Sequence, residues 1–285
     1  MFGIKLPHPF GSAQGPSQGA NAVVTGAGSG IGRAFALEIA RRGGAVVVSD
    51  INLETAQETV AQVEAAGGRA WALHCDVTSL DAVQQMADEA ERLLQAPVDL
   101  VINNAGVGVG GKPIGEISMA DWEWTVGINM WGVVYGCHVF APKLRALGRG
   151  GIINVCSTAS FAAAPMMGPY NLTKAAVLAL SETLAAETAG TGVSVTALCP
   201  TVVKTNIFQA GRIDASATPL MNKLVAWTGV SADGVVTKTL NALDRGELYV
   251  LPQLDARMIW RAKRFIPATY TRGAGLLSRL ATARL

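Results

Sequence analysis

Two short runs, Ala45-Val46-Val47-Val48-Ser49 and Val98-Asp99-Leu100-Val101-Ile102-Asn103, constrain the fold of this chain more than anything else in it. A strand that is apolar at nearly every position offers no face to water, so it belongs in a parallel sheet covered by helices on both sides. Residues 21–25, 69–75, 151–157, 193–199 and 247–251 have similar β-strand character, whereas 30–43, 52–66, 79–95, 119–146, 168–189 and 231–245 carry apolar residues at amphipathic-helix spacing. Strand and helix alternating in this order predict an α/β chain: a doubly wound parallel sheet of about seven strands, right-handed crossovers, one domain.

The 285 residues, 50% hydrophobic, suffice for one large core and are too apolar for a disordered chain. Residues 1–20, rich in Gly, Pro, Ser and Gln, read as a flexible leader without a signal-peptide core. The folded body is expected over 21–252. Its long gap at 206–230 reads as a substrate lid, because loops at the carboxyl ends of strands border the ligand crevice of such sheets. Residues 253–285 form a basic amphipathic tail. Within it, 256–285 hold seven basic residues and no acidic one; the preceding 16 basic and 21 acidic residues make a body of −5 under a net charge of +2. That sign argues against a nucleic-acid partner. In the tail Arg257, Arg261 and Arg264 share one helical face and Leu254, Met258, Ala262 and Phe265 another, up to Pro267, which is expected to stop the helix. Packing on the body or on a second subunit is the favoured use of that apolar face, and peripheral membrane contact the other. Cys75, Cys137, Cys156 and Cys199 lie far apart in apolar runs, as reduced thiols of a cytoplasmic protein do, and no cluster has metal-ligand spacing. No stretch reaches the roughly 18 uninterrupted apolar residues of a membrane span.

After the first strand comes Thr25-Gly26-Ala27-Gly28-Ser29-Gly30-Ile31-Gly32, opening a helix. Glycines at such a turn let the backbone approach a pyrophosphate, which then lies against the positive helix end. The spacing is TGxxxGxG rather than GxGxxG. Asp50 ends the second strand 24 residues after Gly26, where an acid accepts hydrogen bonds from the adenosine ribose and repels the extra phosphate of NADP. Neither Ser29 nor Ile51 nor Asn52 supplies a cation to offset it, which predicts NAD over NADP. The plainer role for Asp50 is to cap the helix beginning near Asn52. Asp76, ending the third strand, has the same two readings.

Together with Asp76-Val77, Asn103-Asn104-Ala105-Gly106, Asn129, Ser157, Tyr170-Asn171-Leu172-Thr173-Lys174, Pro200 and Thr205, this turn resembles the short-chain dehydrogenase/reductase family over residues 21 to about 251. The resemblance implies a Rossmann fold and hydride transfer between NAD(H) and a secondary alcohol or ketone. Tyr170 would be the general acid/base, Lys174 would also bind the nicotinamide ribose, Ser157 would hydrogen-bond the substrate oxygen, and Asn129 would hold a water that relays protons to Lys174. The expected cofactor residues are Gly26, Ser29, Gly30, Ile31, Gly32, Asp50, Asp76, Val77, Asn103, Ala105, Gly106, Tyr170, Lys174, Pro200, Val203 and Thr205. A homodimer or homotetramer is implied as well. Side-chain chemistry adds that Tyr170 and Lys174, four apart on a helix, share a face, so the ammonium is expected to lower the phenol pKa from about 10. One departure stands out: Thr201 follows Pro200 where the family commonly has Gly. A β-branched residue does not take positive φ cheaply, so this loop is expected to follow a different path.

The expected substrate is bulky and apolar, facing Phe161, Met167 and Phe208, with Val107, Met166, Ile207, Leu220, Met221, Leu224 and Trp227 nearby. Arg212 is expected to be solvated. The other readings are an NADPH-dependent carbonyl reductase and a catalytically silent dinucleotide sensor. The latter usually loses the tyrosine or lysine, which this chain keeps.

Overall fold

Side chains of strands apolar on both faces need two helical layers, and the chain provides them. The computed structural model describes residues 15–205, 211–214 and 229–282. Strands β1 (Asn21–Thr25), β2 (Ala45–Asp50), β3 (Arg69–His74), β4 (Leu100–Asn103), β6 (Gly150–Val155), β7 (Val193–Leu198) and β9 (Tyr249–Val250) form a sheet in the order β3-β2-β1-β4-β6-β7-β9, with every pairing parallel. A second parallel pair joins β5 (Val109–Gly110) to β8 (Arg212–Ile213). The helices are α1 (Gly30–Arg41), α2 (Leu53–Ala65), α3 (Leu80–Leu94), α4 (Met119–Val126), α5 (Gly132–Leu147), α6 (Ala159–Ala162), α7 (Gly168–Glu187), α8 (Ala232–Asp244), α9 (Leu254–Phe265) and α10 (Pro267–Thr282). A π-helical turn, Gly127–Trp131, joins α4 to α5.

Successive strand residues point to opposite layers. Val23, Val101 and Ile152 share one core with Phe140 and Leu144 of α5 and Val177 of α7, all fully or almost fully buried. Val24, Ile102 and Ile153 share the other with Phe35 and Ile39 of α1 and Leu240 and Leu243 of α8. Each such side chain contributes about 1.5–3 kcal/mol by leaving water. From β1 the chain winds outward to β2 and β3, then returns to β4 on the other side of β1. The crevice of a doubly wound sheet opens at that reversal, beyond the carboxyl ends of the strands.

The ends of the chain depart from expectation. Residues 15–20, assigned to the leader, fold onto the body: Ser17 is fully buried, and its N–H and hydroxyl donate to Asp244 at 2.8 and 2.7 Å. Residues 1–14 lie outside the described residues. Pro267 ends α9 but also opens α10, because a proline at the first helical position sacrifices no hydrogen bond. The tail's apolar row does not pack on the body. Ala256 is the buried residue of α9, while Leu254, Met258 and Phe265 are 71%, 62% and 80% exposed. The expected lid lies mostly outside the described residues, Phe208 included. Its described parts are tied down by the β5–β8 pair and by a bridge between Val203 and Val230.

Candidate active site

At the reversal, side-chain and backbone bonds fasten the two sides of the crevice together. Asn104 donates from Nδ2 to the carbonyls of Thr25 and Gly26 at 2.8 and 3.0 Å, and Thr25 Oγ1 accepts from the N–H groups of Asn104 and Ala105. Gly26 has φ +61°, and a Cβ there would come within 2.7 Å of Ala105 Cα. At Gly32 a Cβ would come within 2.3 Å of the Gly26 carbonyl oxygen, so this glycine permits α1 to press against the turn. A cleft of about 520 Å³ runs from Asp50 and Asp76 past the turn to Ser157 and Tyr170.

The start of α1 differs from the starts of α2, α3, α4 and α8. Asn52, Ser79, Ser118 and Ser231 cap α2, α3, α4 and α8 through their side chains, and each of those helices has an acid in its first turn. Ser29, at the N-cap of α1, makes no side-chain cap bond, and no acid follows in the first turn. The positive end of this helix is therefore left for an anion, and Ser29, Gly30 and Ile31 line the cleft beside it. Asp50 accepts from Gly28 N–H at 2.8 Å and from Asn52 N–H at 3.0 Å. Asn52, not Asp50, caps α2, leaving the acid at the cleft wall. Asp76 likewise yields the capping of α3 to Ser79 and binds Thr78. A glycine cradle, an open helix start and a terminal acid together fit a dinucleotide.

Val77, Ala105, Gly106, Pro200, Val203 and Thr205 also line the cleft, with the Thr205 methyl 3.1 Å from where a Gly30 Cβ would stand. Asn103 does not: it is buried, and its Nδ2 donates to Asn154 Oδ1 at 2.9 Å in the core. Thr201 is absent from the left-handed conformation, which among described non-glycine residues only Gln95, Ala163 and Met166 adopt. The loop is held instead by the tail, with Thr201 N–H donating to Gln253 Oε1 at 3.2 Å and Thr201 Oγ1 bonded to Asp255 at 3.1 Å.

The four residues expected to carry catalysis converge at the other end. Ser157, after β6, lies close enough to the Tyr170 hydroxyl to lower its pKa, and its Oγ accepts from Ala159 N–H at 3.1 Å. Lys174 is buried, donates to the Val155 carbonyl at 2.7 Å and lies 5.8 Å from the Tyr170 ring centroid. Asn129 sits in the π turn, fully buried, and clamps Val107 from both sides: Oδ1 accepts from its N–H at 2.8 Å and Nδ2 donates to its carbonyl at 2.9 Å. This satisfies a polar side chain that would otherwise be costly in an apolar helix.

The expected tuning of Tyr170 by Lys174 is reversed in the free protein. Burial raises the Tyr170 pKa, nearby Ser157 offsets this only partly, and burial lowers the pKa of Lys174. A phenolate difference titration of wild type against Tyr170→Phe, without nucleotide, is expected to place Tyr170 ionisation above the free phenol value of about 10. A transition near neutrality would show that the ammonium prevails. Cys75 and Cys137 are poor nucleophiles, pushed up to about 11 and about 12, mainly by loss of water.

Of the expected substrate contacts, Met167 and Val107 line the cleft, joined by Ile128, Ala162 and Ala164; Phe161 packs against the core instead. Left-handed Ala163 and Met166 shape the segment that presents Met167. Arg212 is exposed, as expected, and also pairs with Asp121 at 2.9 Å and lies 4.2 Å over the Trp124 ring. Asn104 and the Val155 carbonyl went unassigned in the sequence reading. Asn104 stood inside a motif already noted, whereas a backbone acceptor leaves no trace in residue identity.

Comparison with known proteins agrees with this site. A family model described as short chain dehydrogenase matches residues 20–215. The probable oxidoreductase EphD of Mycobacterium tuberculosis is 39% identical over 196 residues, 68% of this chain and 33% of that protein. The chain thus spans about a third of that relative's length. The 1-deoxy-11-beta-hydroxypentalenate dehydrogenase of Streptomyces exfoliatus is 34% identical over 245 residues, 83% of this chain and 84% of that protein. A short chain dehydrogenase/reductase from Burkholderia phymatum, solved in complex with NAD, superposes with a TM-score of 0.82 at 34% identity, covering 87% of this chain and 94% of that one. The fold, the cleft and these likenesses lead to one conclusion: the chain belongs to the short-chain dehydrogenase/reductase family of oxidoreductases.

Proposed function

We propose that the chain interconverts a bulky, apolar secondary alcohol and its ketone, using NAD(H). The observation that carries this reading is the meeting of Ser157, Tyr170 and Lys174 at the end of a cleft whose far end is closed by Asp50. When bound, the nicotinamide ring supplies the hydride acceptor or donor. Tyr170 Oη takes the alcohol proton in one direction and returns it in the other. Ser157 orients the substrate oxygen and Tyr170 together, which favours charge developing on that oxygen. Lys174 holds the nicotinamide ribose and adds positive charge beside the phenol. Val107, Ile128, Ala162, Ala164 and Met167 supply an apolar wall that suits a bulky substrate.

The preference for NAD rests on Asp50. Ser29, Ile51 and Asp76, its neighbours along the cleft, are not basic, and nearby Arg33 is engaged with Thr59 at 2.9 Å and Glu58 at 3.1 Å. Asp50→Ala is expected to reduce the NAD-to-NADP ratio of kcat/KM by about tenfold or more, because the wild-type carboxylate repels the extra phosphate. The test of the whole reading is a panel of apolar alcohols mixed with NAD, followed by absorbance of the reduced nicotinamide. Turnover with NADP but not NAD would favour a carbonyl reductase. Tight nucleotide binding with no turnover of any alcohol or ketone would favour the sensor.

A further inference from the structure

The two tail helices repeat one design. On α9, Leu254, Met258 and Phe265 form an exposed row at helical spacing, and Arg257, Arg261 and Arg264 run along one side of it. On α10, Leu276 and Leu277 are 61% and 69% exposed, with Arg272 on the adjoining strip. Ile266, at the junction, is 52% exposed. The opposite side of α9 is already used: Ala256 is buried, and Trp260 packs against Tyr249 of β9 with ring centroids 6.2 Å apart.

We propose that this face of α9 and α10 docks the protein on an anionic lipid surface, the apolar row entering the headgroup boundary while the arginines meet lipid phosphates. Arginine stems can lie along apolar surface while their heads reach outward, so a cationic strip bordering an apolar row suits that boundary. The charge pattern favours lipid over a second copy of the chain. No acidic residue follows Asp255 in the sequence. Among the described residues, Arg257, Arg261, Lys263, Arg264 and Arg272 have no carboxylate partner; Lys263 and Arg264 rest on the rings of Tyr270 and Trp260. The body carboxylates Glu58, Asp88, Glu91 and Asp244 are matched with cations of the body itself, whereas exposed Glu64, Asp81, Glu116 and Glu187 have no cation partner among the described residues. Those five tail cations thus lack a carboxylate among the described residues, and the same face of a second copy would meet them with like charge rather than an anion. Gln253 and Asp255 also tie the start of α9 to the loop at Thr201, so docking would occur beside the cleft.

The experiment is co-sedimentation of the full chain with vesicles of phosphatidylcholine alone and of phosphatidylcholine mixed with phosphatidylglycerol. Binding to the mixed vesicles is expected to be about tenfold or more the stronger and to weaken with salt. Met258→Ser/Phe265→Ser, two exposed positions, is expected to lower it by about tenfold while melting temperature and nucleotide affinity stay at wild type. Equal binding to neutral vesicles, or none to either, would overturn the proposal. So would a double variant that binds mixed vesicles as wild type does but has a smaller mass in light scattering, since the face would then join copies of this chain. Neither readout uses turnover, so failure here is separable from failure of the proposed alcohol chemistry.

Discussion

Tyr170→Phe is expected to lower turnover of an alcohol or ketone by about 10²–10⁴-fold, the range that a positioned general acid/base contributes. The substitution keeps the ring that lines the cleft and removes only the hydroxyl beside Ser157. Nucleotide affinity should therefore change little, because the turn at Gly26, the open start of α1 and Asp50 are untouched. Fluorescence titration with NADH and steady-state rates on the same preparation separate the two effects. Retention of wild-type turnover would show that another group moves the proton. Ser157→Ala is expected to leave ring and phenol in place and to act chiefly on kcat, because the lost hydrogen bond stabilises charge that develops only during reaction.

Arg42→Ala is expected to destabilise the protein by about 3–5 kcal/mol, the cost of removing one partner from a buried charge network. The Arg42 side chain is 5% exposed and bonds Glu38 at 3.0 Å, Ser17 at 2.7 Å, Asp244 at 3.2 Å and Asn241 at 2.7 Å. It therefore joins α1, α8 and the segment before β1, and its loss leaves Asp244 without its cation. A fall in melting temperature of roughly 6–10 °C is the corresponding reading. Arg42→Ala/Asp244→Ala should recover part of it, because the orphaned charge is gone. Hydrogen bonds and charge from Arg41 and Arg42 hold the Glu38 carboxyl below its usual value. Glu38 consequently stabilises the fold above its unfolded pKa, and that contribution is lost as pH falls through the lower folded value. A destabilisation under about 1 kcal/mol would mean that the network is solvated in solution.

The sheet and its helices were legible because burial imposes a period. Val46 to Val48 and Leu100 to Ile102 admit one environment, and their order along the chain leaves few ways to wind the sheet. Boundaries moved by one or two residues, as at Asp50 and His74. The two-residue strands β5 and β8 were not legible, since they are too short for any period and exist only because distant segments meet. The glycine turn and the Tyr170–Lys174 pair could be read because a turn and a helix each place their residues locally. Asn103 could not be placed from its motif: which of two adjacent asparagines faces the cleft depends on where β4 ends and on the room left opposite by Gly136. The tail's periodicity was visible, but what its apolar row meets was not: Leu254, Met258 and Phe265 are exposed rather than packed on the body. Periodicity identifies a face without saying what covers it.

The sequence alone determined the fold class, the alternation of strands and helices, the phosphate turn and the residue types available for proton transfer, because each follows from local geometry or from the demands of burial. The tertiary structure alone decided the electrostatics. Burial around Tyr170 outweighs the effect of Ser157, Asn52 frees Asp50 from capping, and the apolar row of α9 is turned toward solvent. All three depend on which atoms lie within a few ångströms across long stretches of chain, and desolvation is set by those neighbours rather than by residue identity.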